Sequence, residues 1–96
     1  MDNEEMYEGF LKSFLEDGNY RALVEAVEEH DCKKAFTAAH TLKGVSGNLA
    51  LSKLFEVVQV QVEYFRQNKF DNGALMMDRV TQEYNNIVGV IKELLF

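Results

Sequence analysis

The stretch MDRVTQEYNNIVGVIKELLF, residues 77–96, places Met77, Val80, Tyr84, Ile87, Ile91 and Leu94 at spacings of three and four. Apolar residues at that spacing fall on one stripe of an α-helix, the seam by which a bundle helix meets its neighbours. The spacing predicts a long last helix, buried along one stripe and opened by Asp71-Asn72-Gly73. Immediately upstream, Val58-Gln59-Val60-Gln61-Val62-Glu63-Tyr64 alternates with the period of a strand, while Leu51, Leu54, Val58, Gln61, Val62 and Phe65 fit a helix equally well. A lone strand would leave its backbone N–H and C=O groups without partners, and no other segment alternates, so a helix is expected here too. It should start after a break at Leu51-Ser52 and end near Asn68.

The remaining chain reads the same way. Proline is absent, and the few glycines mostly stand where a helix can end. A first helix from about Asn3 to Glu16 is expected to bury Met6, Phe10 and Phe14, with Asp17-Gly18-Asn19 as turn and cap. A second, short helix carries Leu23, Val24 and Val27, and Asp31 can cap a third. The expected fold is all-α: an antiparallel four-helix bundle with an additional short N-terminal helix packed at one end. With 96 residues, 47% of them apolar, one domain over residues 1–96 with one core is the expectation. An initial Met1 and a helix running on to Phe96 fit a free-standing protein as well as a segment of a larger kinase.

The formal charge of −6 argues against nucleic-acid and anionic-membrane partners, which need a basic surface. A lone cysteine, Cys32, excludes an internal disulfide, and no signal peptide or membrane-spanning run is visible, so the cytoplasm is the expected compartment. The charge is unevenly spread: residues 1–31 hold ten carboxylates against Lys12 and Arg21, whereas Cys32 to Lys53 holds four lysines and no carboxylate. A group that accepts a dianion is best placed in that stretch.

On a wheel of about 100° per residue, Ala35, Ala39, Leu42, Ser46 and Leu49 of the third helix share one sector, which is its core face. His40 falls roughly opposite, with Lys43 on the flank and Gly44 and Gly47 beside it. Glycine inside a helix costs about 1 kcal/mol relative to alanine, so two of them need a reason. Helical side chains lean toward the N-terminus, and any side chain at position 44 would lean back over the His40 ring. Glycine keeps the ring open to a bulky reactant; close packing of a neighbouring helix is the competing explanation. An imidazole near neutrality is substantially free base and a competent nucleophile toward phosphorus, and Lys43 offers an ammonium to phosphoryl oxygens.

Ala39-His40-Thr41-Leu42-Lys43-Gly44, followed by Ser46-Gly47-Asn48-Leu49, resembles the signature of histidine-containing phosphotransfer (HPt) domains of two-component phosphorelays. The flanking Phe10-Leu11-Lys12-Ser13-Phe14 and the acidic second helix fit as well, so the likeness covers nearly the whole chain. It implies that His40 takes a phosphoryl group from a receiver-domain aspartate or a sensor or hybrid histidine kinase and returns it to a response-regulator aspartate. Lys43 and Gly44 would then stabilise the phosphate and give access to the ring. Two positions depart from the family pattern. Ala50 replaces the glycine that usually follows the leucine matched by Leu49. Val62 stands where many members place a polar residue that holds the phosphohistidine ring; Gln59 or Gln61 is the candidate substitute.

In that role the domain is a phosphocarrier without ATPase or kinase activity of its own; it binds no cofactor, and Mg is expected on the partner receiver domain. No glycine-rich nucleotide loop is present. Thr37, Thr41, Gly47 and Asn48 are the candidates for partner docking, and a monomer is expected. A metal site from His30, Cys32 and His40 lacks clustered ligands; His30 reads as a helix-end residue and Cys32 as a small side chain. Gly44-Val45-Ser46-Gly47 imitates the GxxG loop of an RNA-binding KH domain, which an acidic, strand-poor chain contradicts. The main rival is a helical adaptor that binds a signalling partner without carrying phosphate.

Overall fold

The computed structural model describes residues 2–96, with side chains described from Glu5 onward. Six helices follow one another: α1 (Asp2–Glu16), α2 (Asn19–Glu28), α3 (Cys32–Asn48), α4 (Ser52–Arg66), α5 (Phe70–Leu75) and α6 (Met77–Leu95). No strand occurs among the described residues, and the alternating segment at 58–64 lies wholly inside α4. The chain is all-α, with α2, α3, α4 and α6 as the four-helix bundle and α1 laid beside α6. At 44 × 19 × 19 Å the molecule is a rod about two helix diameters across.

The core is continuous through Leu11, Phe14, Leu23, Ala26, Ala35, Ala39, Leu42, Leu54, Val58, Val62, Phe65, Val80 and Ile91. On α3 every expected core residue is buried, and Ser46 enters without an orphan hydroxyl because its Oγ donates to the Leu42 carbonyl at 2.7 Å. On α1 the inward stripe differs from expectation. Met6 and Phe10 are 57% and 52% exposed, and the buried residues are Leu11 and Phe14. Tyr7, Leu11 and Phe14 span roughly 60° of the wheel against roughly 80° for Met6, Phe10 and Phe14, so the tighter stripe faces inward. The Tyr7 hydroxyl fixes that rotation by donating to the Leu49 carbonyl at 3.0 Å. Leu94, expected on the α6 seam, is 69% exposed at a groove it shares with Tyr7, Leu11 and Ile91.

An aromatic knot joins α1, α2 and α6. Tyr20 stacks on Tyr84 at 4.0 Å, Phe14 meets Tyr84 edge-on at 5.5 Å, and the Tyr20 and Thr81 hydroxyls are 2.7 Å apart. Burial, then the Asp17 carboxylate and Tyr20, hold the Tyr84 phenol above its ordinary pKa of 10.0.

Three of the connections are built alike. His30, Ala50 and Asn68 have φ of 55°, 57° and 61°. Each donates its N–H three residues back, and the next residue donates five residues back: Asp31 to Ala26 at 2.9 Å, Leu51 to Ser46 at 2.8 Å, Lys69 to Tyr64 at 2.8 Å. This is the paired C-terminal capping pattern that glycine usually serves. The residue that closes each cap also begins the next helix, and Asp31 does so with its side chain, accepting from the Lys34 N–H at 3.0 Å. Ala50 therefore keeps the turn that glycine would make, at a steric cost of about 1 kcal/mol.

The last helix does not open at Asp71-Asn72-Gly73. Those residues form the middle of α5, and α6 begins only at Met77. At the interruption the Gly73 carbonyl accepts from the Gln61 amide of α4 at 3.1 Å and from the Met76 N–H at 3.1 Å, a tightened turn in place of the regular helical bond. Gly73 is buried, and a Cβ there would lie within 2.7 Å of the Phe65 ring.

Three outcomes follow from this packing. Ala50→Gly should stabilise the fold by about 1 kcal/mol, read from the denaturant midpoint. Gly73→Ala should lose a net 1–2 kcal/mol, roughly the overpacking penalty less the gain in helix propensity. Because the folded state favours neutral Tyr84, its stabilising contribution is complete below about pH 10 and is lost as pH rises through the higher folded value. Tyr84→Phe should therefore flatten the alkaline fall in melting temperature.

Candidate functional site

The core face of α3 determines what its other face displays. With Ala35, Ala39, Leu42, Ser46 and Leu49 turned inward, His40 is exposed on the outer side of the same helix. Lys43, one turn on, is half-buried and makes no ion pair among the described residues. A Cβ built on Gly44 would meet nothing within 4 Å, so the space over that position is open. The packing explanation for a helical glycine fails at Gly44 and holds at Gly47. There a Cβ would stand 3.3 Å from Cδ2 and Cε2 of Phe55, so Gly47 admits an aromatic ring of α4.

Thr37 and Thr41 are exposed, but their hydroxyls are turned back along the helix, donating to the Lys33 carbonyl at 3.2 Å and the Thr37 carbonyl at 3.0 Å. Each therefore satisfies its donor locally. Asn48 is exposed and lines a groove with Phe10, Ser13, Phe14 and Val45, so the half-exposed Phe10 of α1 borders the same surface.

The two glutamines of α4 part company. Gln59 is exposed. Gln61 is fully buried; its amide nitrogen donates to the Gly73 carbonyl at 3.1 Å and lies 3.0 Å from the Met77 sulfur. That amide is used inside the bundle to hold α5, which corrects its assignment as a support for the His40 ring. Val62 is likewise sealed in the core.

One neighbour of His40, and a second residue that reaches only that neighbour, were not anticipated. The Phe36 ring lies with its centroid 5.7 Å from that of His40, tilted by 35°. The guanidinium carbon of Arg66 is 5.2 Å from the Phe36 centroid. Phe36 was accessible from spacing alone, since it precedes His40 by four residues. Arg66 comes from another helix, and nothing in the linear order joins it to His40. His30, at the end of α2, packs its ring 5.2 Å from Phe70, and the Cys32 thiol points to the Phe65 carbonyl at 3.6 Å, so each has a local structural role.

No described helix is long and apolar enough to cross a membrane. No curated protein and no solved structure matches the chain. The Hpt domain family matches residues 5–89, which takes in α1 through most of α6 and the whole surface around His40. The chain belongs to the Hpt domain family, whose members carry phosphoryl groups in two-component signalling between kinases and receiver domains.

Proposed function

We propose that this domain accepts a phosphoryl group on His40 from a receiver aspartate or a histidine kinase and passes it to a response-regulator aspartate. The observation that carries the reading is the exposed imidazole beside the open space over Gly44. An imidazole nitrogen forms the N–P bond as the P–O bond of the donor's acyl phosphate breaks and its carboxylate departs; the return step reverses this. The domain contributes a fixed nucleophile and the Lys43 ammonium, which meets charge on the phosphoryl oxygens. The partner receiver contributes the aspartate and its Mg ion. Without a nucleotide-binding loop, the domain is a carrier that neither binds nor hydrolyses ATP, and it works as a cytoplasmic monomer.

Docking is assigned to the outer face of α3, through Thr37, Thr41, Gly47 and Asn48. With both threonine hydroxyls bonded to their own backbone, the side chains offer mainly their methyl groups to a partner. Gln59 remains available on α4 as a polar neighbour.

The test is transfer from pre-phosphorylated receiver domains. His40→Gln should take up no label while keeping its helical content and melting temperature; label on that variant would end the proposal. Lys43→Ala should slow transfer roughly tenfold, the loss of one weak charge-assisted contact. Gly44→Ala should gain about 1 kcal/mol of stability because its Cβ meets nothing, whereas Gly44→Leu should stop transfer in a folded protein. A wild-type domain that binds receivers but never takes label would instead be an adaptor.

A further inference from the structure

The surface on the N-terminal side of His40 is as closed as the Gly44 side is open. A helical side chain leans toward the helix N-terminus, so the imidazole leans over the preceding turn, where Phe36 stands. The centroid separation of 5.7 Å and tilt of 35° lie in the range of attractive aromatic pairs. Phe36 is itself restrained. It is half-buried against the core, and the Arg66 guanidinium covers its ring at 5.2 Å. Arg66 in turn is held by Glu63, its Nε donating to Oε1 at 3.2 Å. A series of contacts, Glu63 to Arg66 to Phe36 to His40, thus runs from the last turns of α4 to the reactive ring.

We propose that Phe36 is a positioning residue for His40: its ring limits the orientations of the imidazole and keeps the nucleophile presented on the side cleared by Gly44. This rests on the reading of His40 as the phosphoryl acceptor and identifies what sets the ring's orientation before any partner docks. An exposed histidine without such a neighbour would sample several rotamers, only some of them facing the reactant.

Phosphoramidate is a suitable donor because it needs no docking surface. A lone pair of the imidazole forms the new N–P bond, the donor's own N–P bond breaks, and ammonia leaves. The experiment compares wild type, Phe36→Leu, which keeps apolar bulk without a ring, and Phe36→Tyr, which restores the ring. Two quantities are read: the rate of labelling at His40, and the chemical shifts of the His40 ring protons in unphosphorylated protein, assigned against His40→Gln. Phe36→Leu should move the ring-proton shifts and slow labelling roughly two- to tenfold, the range such an aromatic pair supplies, and Phe36→Tyr should restore both. Phe36→Leu with wild-type shifts and rate overturns the inference, as does a Phe36→Tyr that fails as fully as Phe36→Leu. A wild-type protein that takes no label on His40 overturns the acceptor reading, and the inference with it.

Discussion

A helix has one circumference, and α3 must divide it between a core face and the outer face that displays His40. The inward sector is made of small or short residues, Ala35, Ala39 and Ser46 among them, which lets α3 lie deep between α2 and α4. Because the pitch of the helix fixes every other direction, burying that sector sets His40, Lys43 and Gly44 outward without further instruction. Loss of the core contacts would therefore disorder the surface around His40 as well as the fold.

That division explains why the outward placement of His40 was legible in the sequence while its surroundings were not. The α3 core face and the Asp31 cap depend on residues within a few positions of one another, and both stand as read. Phe36 also lay within reach of the same spacing. The stripe on α1 was chosen between two nearly equal rotations, and what decided it was the Tyr7 bond to Leu49, forty-two residues away. The break before Met77 depends on Gln61 of α4 reaching the Gly73 carbonyl of α5, and Arg66 reaches from α4 to Phe36 of α3. Those contacts exist only once the helices have packed, and no local pattern announces them.

The chemistry of the glutamines shows the same competition. A primary amide on α4 can serve a ligand or the fold. Gln61 is committed to the fold: its side-chain oxygen has no hydrogen-bond partner among the described residues, and its nitrogen makes the amide's bond to α5. With Val62 also enclosed, α4 presents no interior polar group toward the α3 surface from those two positions. What α4 does contribute there is Arg66, through an aromatic ring.

The non-glycine residue at the α3–α4 turn has a consequence for how the chain folds. A left-handed alanine is a poor conformer in an unfolded chain, so the turn at Ala50 offers little nucleation of its own. The hairpin of α3 and α4 has to be drawn together by its packed faces, Leu42 and Ala39 meeting the Leu54 and Val58 side of the core, with the turn closing as they dock. Closure of this turn is thus a result of the two helix faces meeting and not its cause.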